Sequence, residues 1–98
     1  MNPKLAFRPV ADAEFIESAE WYENRWAGLG LEFIDQVQEV LARIAEDPKQ
    51  YPEVFEDIRE GLVSGFPFAI YYRVKPGRVV ILAVFHASRD PTVWQSRN

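Results

Sequence analysis

His86 is the only histidine in the chain, and histidine is the side chain whose unperturbed pKa lies nearest neutrality, so His86 is the one ready general acid or base. Arg59, Arg73 and Arg89 are the matching candidates for gripping an anion, because a guanidinium binds phosphate or carboxylate through paired N–H donors. Each has a plainer reading as well. A histidine at a strand end can serve only to hydrogen-bond a backbone group, and three separated arginines can form three ordinary surface salt bridges. Metal chemistry has little to work with: one histidine and scattered carboxylates give none of the usual ligand spacings, and no glycine-rich phosphate loop is present. The absence of cysteine removes disulfides, thiolate metal sites and thiol nucleophiles together. No cofactor is expected.

The element that must position these residues is the stretch Phe66 to His86. Phe66-Pro-Phe-Ala-Ile-Tyr-Tyr-Arg-Val74 and Val79-Val-Ile-Leu-Ala-Val-Phe-His86 are rich in β-branched and aromatic residues, and Pro76-Gly77 between them is a turn pair. This predicts a β-hairpin. Both alternating sets of the second run are apolar, so that strand is expected inside a sheet, covered on both faces. With a two-residue turn at 76–77, Val74 pairs with Val79, and counting outward places Tyr71, Arg73, Leu82 and His86 on one face.

The rest of the chain supplies the cover. Leu5-Ala-Phe-Arg8, stopped by Pro9, reads as a short first strand along that sheet. Asp12 can cap a first helix in which Phe15, Ala19, Tyr22 and Trp26 recur at helical spacing, with carboxylates at 14, 17, 20 and 23 on the remainder. Trp21 falls off that stripe and either packs at its flank or awaits a partner. After Ala27-Gly-Leu-Gly30 a second helix carries Phe33, Ile34, Val37, Val40, Leu41 and Ile44 on one face as far as Asp47-Pro48. Tyr51-Pro52 and Phe55 are expected to seal the far end of the helix pair. Asp57 to Val63 gives a weak strand, with Gly61, Ser64 and Gly65 suggesting a bulge or a close approach by another element. Asp90-Pro91 can start a last helical turn that contains Trp94.

The chain of 98 residues suits one domain over 1–98. The expected fold class is α+β: an N-terminal strand, an antiparallel two-helix hairpin on a mostly antiparallel sheet of three or four strands, and a short C-terminal helical turn. No run reaches a membrane span and the start has no signal-peptide core, so a cytoplasmic location is expected, without membrane. The net charge of −4 is uneven: residues 1–56 hold 5 Lys/Arg against 12 Asp/Glu, whereas residues 57–98 hold 6 against 3. Either the C-terminal part faces an anion or the acidic residues simply coat two solvated helices.

Taken in order, Glu20-Trp-Tyr-Glu23, Gly28-Leu-Gly-Leu-Glu-Phe33, Ile44-Ala-Glu-Asp-Pro48, Tyr51-Pro52, Arg59, Phe66-Pro-Phe-Ala-Ile-Tyr-Tyr72 and His86 through Arg89-Asp-Pro91 resemble the RelE/ParE superfamily of bacterial type II toxin–antitoxin (plasmid-stabilisation) toxins. The resemblance spans nearly the whole chain and is nearer to the ParE branch. It implies a small toxin neutralised by a cognate antitoxin, ParD-like or RelB-like, in a hetero-oligomer. RelE-like members cut messenger RNA on the ribosome, whereas ParE-like members poison DNA gyrase without known catalysis. Arg89 stands at a position similar to a RelE-like catalytic cation, and His86 would be the acid or base of such an enzyme. Trp94 lies where the RelE-like tyrosine would be expected, and an indole N–H does not titrate usefully. Glu60 replaces an expected arginine, and Ser64-Gly65 stand where basic residues are common. The resemblance therefore points to docking on gyrase; Arg59, Arg73, Arg89 and Trp94 are the candidates for binding the target or an anion, and Trp21 and Tyr71 the candidates for binding a partner. A ribosome-dependent endoribonuclease, or an attenuated toxin kept as a regulatory partner, are the alternatives.

Overall fold

The computed structural model describes residues 3–98. Strand β1 (Lys4–Phe7) is followed by helices α1 (Pro9–Arg25) and α2 (Leu29–Glu46), strands β2 (Glu53–Phe55), β3 (Ile58–Leu62), β4 (Phe68–Lys75) and β5 (Arg78–His86), and the short helix α3 (Thr92–Gln95). The sheet order is β1-β5-β4-β3-β2, with β1 parallel to β5 and the other neighbours antiparallel. The architecture is α+β as expected, with one strand more than the sequence suggested. Glu53–Phe55 pairs with β3 across a bulge and forms the sheet edge. Phe55 accordingly packs on the face away from the helices, against Trp94, while Tyr51 alone seals the helix side.

Both helices cover one face. Phe33, Val37, Val40 and Ile44 of α2 meet Ile70, Tyr72, Val79 and Ile81 of the sheet, and all are buried; each such side chain contributes about 1.5–3 kcal/mol through burial. Of the bulge and the close approach expected around Gly61, Ser64 and Gly65, the structure has a close approach at Gly61, where a Cβ would lie 2.7 Å from Val40 Cγ1 of α2, whereas a Cβ at Gly65 would have nothing within 4 Å. Tyr22, Phe33, Phe66 and Phe68 form a cluster of tilted and edge-on rings with centroids 4.9–6.0 Å apart. The second face is smaller: Ile58, Tyr71, Val80, Leu82 and Phe85 lie under Phe55 and Trp94.

Two helix boundaries differ from the sequence reading. α1 begins at Pro9 rather than after Asp12, because the fixed φ of proline suits the first helical position and its missing N–H has no role there. At the other end the chain leaves the helix at Trp26, with φ −155°, so Trp26 swings away from the apolar stripe and is 76% exposed.

The hairpin register is Val74 opposite Val79, with Gly77 at φ 71° in the turn. Further along, Tyr71 pairs with Ala83 and Tyr72 with Ile81, so Leu82 is an extra residue, a β-bulge. The bulge reverses the alternation beyond it. Tyr71, Arg73 and Leu82 share the second face, but His86, opposite Phe68, lies on the helix side, contrary to the count made without a bulge.

Candidate functional site

The bulge places His86 in a groove of about 310 Å³ between α1 and the end of the hairpin, walled by Trp21, Tyr22, Phe68 and Val84 and rimmed by Glu14, Glu17, Ser18 and Arg89. His86 Nδ1 accepts the Ser88 backbone N–H at 3.0 Å, and Ser88 Oγ lies 2.8 Å from the same nitrogen. An accepting Nδ1 puts the neutral ring's proton on Nε2. The ring stands edge-on to Phe68 at 5.0 Å. Trp21 is 53% exposed, edge-on to Tyr22, with the Arg25 guanidinium 4.3 Å from its ring centre.

Arg89 is held by Glu14, a carboxylate outside the apolar stripe of α1. Glu14 Oε2 accepts Arg89 Nη1 at 2.7 Å and Arg97 Nη2 at 3.0 Å, and Oε1 accepts Arg97 Nη1 at 2.9 Å and the Val84 N–H at 3.1 Å. The side chain of Glu14 is 10% exposed and that of Arg97 14%. Four donors satisfy both oxygens, which is the condition for keeping a carboxylate in so dry a place. A signal for Glu14 exists in the helical geometry: at 100° per residue it lies about 20° from Trp21 and about 40° from Ser18, on the flank facing the sheet. Arg97 gives no such signal, because it lies outside every periodic segment.

The other arginines are elsewhere. Arg59 donates through Nη1 to the carbonyls of Lys49 (3.1 Å) and Tyr51 (2.6 Å) and lies 3.7 Å from Glu53, so it ties the loop after α2 to the sheet. Arg73 donates through Nε to Asp57 at 2.8 Å. Arg59 pairs with Tyr72 and Arg73 with Ile58, so the two project from opposite faces. Arg73 is also about 17 Å along β4 from Phe68, the partner of His86. The three cations are thus not brought together.

Tyr71 and Trp94 meet each other on the second face. Their rings stack at 3.8 Å with 10° between planes, and Tyr71 donates its hydroxyl to Glu60 at 2.7 Å. Burial pushes the Tyr71 phenol well above its ordinary pKa, with the Glu60 hydrogen bond and charge adding to the rise. Trp94 is 4% exposed, positioned by a turn in which Asp90 accepts the Thr92 N–H at 3.0 Å, a bond that holds the Asp90 pKa below its usual value. Among the described residues no group of three His, Cys, Asp or Glu could hold a metal, and no helix is long and apolar enough to cross a membrane.

Glu23 supplies a third constellation. Its carboxylate accepts the backbone N–H groups of Gly28 (2.9 Å) and Gly30 (3.0 Å) and caps α2 from the preceding helix. A Cβ on Gly30 would lie 2.7 Å from the Ala19 carbonyl oxygen, so the Glu-x₄-Gly-x-Gly spacing is a device for packing α1 closely on α2.

Comparison with known proteins follows the same lines. The family profile for the ParE toxin of type II toxin–antitoxin system, parDE, matches residues 5–91. Among solved structures, the chain is similar to the chromosomal ParDE TA system from P. aeruginosa, with a TM-score of 0.74 and 19% identity over 88% of this chain and 97% of that chain. At that identity the likeness shows the fold. A search of curated protein sequences gives no match. With its profile match running from the first strand to the residue before α3, the chain belongs to the ParE toxin family of type II toxin–antitoxin systems.

Proposed function

We propose that this chain is neutralised by a cognate antitoxin, ParD-like or RelB-like, within a hetero-oligomer, and that it acts by docking on DNA gyrase rather than by a chemical step of its own. The observation that carries this reading is the commitment of the three candidate arginines. Arg59 serves backbone carbonyls and Glu53, Arg73 serves Asp57, and Arg89 shares Glu14 with Arg97. Cleavage of RNA by its own 2′-hydroxyl needs uncommitted cations converging on a developing phosphorane, together with an acid and a base. Here one histidine faces one half-committed arginine, and Trp94, at the position similar to a catalytic tyrosine, is packed under the sheet. Purified protein added to gyrase and supercoiled DNA tests the reading: gyrase-dependent cleavage or loss of supercoiling, reversed by the antitoxin encoded beside it, is the expected result. No effect at excess protein rejects it.

One observation favours a second reading. His86 and Arg89 line the same groove, the minimum for an acid and a cation in a ribosome-dependent endoribonuclease. Toeprinting of messenger RNA on ribosomes separates the two, and growth arrest on induction without the antitoxin separates both from an attenuated, regulatory copy.

A further inference from the structure

The groove beside α1 has two unlike parts. Trp21, Tyr22, Phe68 and Val84 make an apolar wall, while His86 and Arg89 stand at the rim. Glu14, at the same rim, accepts four hydrogen bonds, so its charge is answered within the chain. Arg89 gives Nη1 to Glu14. Among the described residues its Nε and Nη2 donate to nothing, and its side chain is 44% exposed. His86, with Nδ1 occupied by Ser88, offers Nε2–H. Glu17 is the one other carboxylate lining the groove. This end of the sheet therefore offers unused donors on a chain whose net charge is −4.

We propose that the groove takes a segment of a protein partner in which an aliphatic or aromatic side chain lies beside a carboxylate, the apolar group against Trp21 and Phe68 and the carboxylate on Arg89 and His86. This rests on reading the chain as a toxin covered by a partner, and it names the chemistry of that contact. A volume of about 310 Å³ is at the lower end for small-molecule pockets and suits one or two side chains better than a cofactor. A nucleic-acid strand fits less well, since one partly free guanidinium beside Glu17 offers little to a row of phosphates.

The test is a titration of the isotope-labelled chain, followed by NMR, with the blocked peptides acetyl-Leu-Glu-amide and acetyl-Leu-Gln-amide and with a short oligouridylate. Saturable shifts are expected at the Trp21 indole, Phe68 and His86. The Glu peptide is expected to bind about three- to fivefold more tightly than the Gln peptide, the scale of a partly exposed ion pair. Arg89→Gln removes that preference and Trp21→Ala weakens both peptides. Because Arg89→Gln can disturb the Glu14 cluster, Glu17→Gln is the second variant: it removes an exposed carboxylate, leaves Arg89 in place, and is expected to increase the preference. Equal binding of the two peptides, shifts centred elsewhere, no saturation by about 20 mM, or tighter occupation by oligouridylate overturns the proposal. None of these measurements involves gyrase or growth, so their failure is distinguishable from failure of the reading beneath them.

Discussion

Arg97 meets Glu14 as a bidentate pair, Nη1 to Oε1 at 2.9 Å and Nη2 to Oε2 at 3.0 Å, across a sequence separation of 83 residues. The pair sits where β1 runs out. The last β1 residue, Phe7, is opposite Ile81, and Arg8 donates its N–H to the Ile81 carbonyl. Beyond that point the edge of β5 would be open. Arg97 donates to the Leu82 carbonyl at 3.1 Å and Glu14 accepts the Val84 N–H at 3.1 Å, so two side chains stand in for the missing strand.

Removing one member of this pair leaves a charge in a poorly hydrated place. Glu14→Ala is expected to destabilise the chain by about 3–5 kcal/mol, the usual result of breaking a buried ion pair from one side. Glu14→Gln, which keeps an acceptor for Val84, is expected to cost less, about 1–3 kcal/mol. Urea unfolding of both variants, of Arg97→Ala and of the double variant closes a cycle; additive effects would show that the two side chains do not interact.

The two tryptophans nearest the candidate sites separate stability from binding. Trp94 is buried and stacked on Tyr71, so Trp94→Ala is expected to lose about 3–5 kcal/mol of stability. Trp21 is half exposed, and Trp21→Ala is expected to change stability by about 0.5 kcal/mol or less while weakening antitoxin binding by more than about tenfold, as an aromatic anchor would. Thermal unfolding and a binding titration, run on the same samples, check both halves.

The contrast shows what could be read from the chain and what could not. Val74 opposite Val79 follows from Pro76-Gly77, a local signal, and the α2 face follows from periodicity. The Leu82 bulge leaves no mark in an all-apolar run, yet it decides the face on which His86 stands. Glu14 is harder to read for a different reason. An amphipathic pattern sends helical carboxylates to water, its place on the sheet-facing flank is the one local sign against that, and its donors Val84, Arg89 and Arg97 lie 70 to 83 residues away. Local rules placed the elements; the site depended on contacts distant in sequence.

The Glu23 cap and Gly30 give a third expectation. Gly30→Ala places a methyl group against the Ala19 carbonyl and Glu23 Cβ, at 2.7 and 2.9 Å. Separation of the helices is expected to cost about 1–3 kcal/mol. Glu23→Ala leaves the Gly28 and Gly30 N–H groups without their acceptor and is expected to cost about 1 kcal/mol. Circular dichroism with denaturant titration measures both; a neutral Gly30→Ala would mean that α1 and α2 can part freely.

Alkaline pH should weaken the fold through its tyrosines. Burial pushes the Tyr72 phenol up to about 12, against a lowering by Arg59 and with further raising by Tyr51 and Asp47, and burial also raises Tyr22 and Tyr71. In the unfolded chain these groups ionise near about pH 10. Above that pH the unfolded state has lost protons that the folded state keeps. Stability is therefore full below about pH 10 and falls as pH rises toward 12. Tyr72→Phe, which removes the hydroxyl bonded to the Pro48 carbonyl, is expected to flatten the decline measured by urea midpoints. A midpoint unchanged up to pH 12 in the parent chain would contradict the burial of these phenols.

The last prediction concerns His86, because it divides a binding toxin from an enzyme. Its ring packs on Phe68 and its Nδ1 holds the turn at Ser88. Glutamine at this position can keep an acceptor for Ser88 but cannot exchange a proton near neutral pH. If toxicity is a docking event, His86→Gln should arrest growth on induction to the same degree as the parent and keep its gyrase effect within about threefold. If the groove performs general acid or base catalysis, the same substitution should remove about 10²–10⁴ of the rate, enough to abolish arrest. His86→Ala alone would be ambiguous, since losing the ring also frees the Ser88 turn and part of the Phe68 contact. Equal arrest by the parent and the Gln variant is therefore the result that binding requires and that catalysis through His86 forbids.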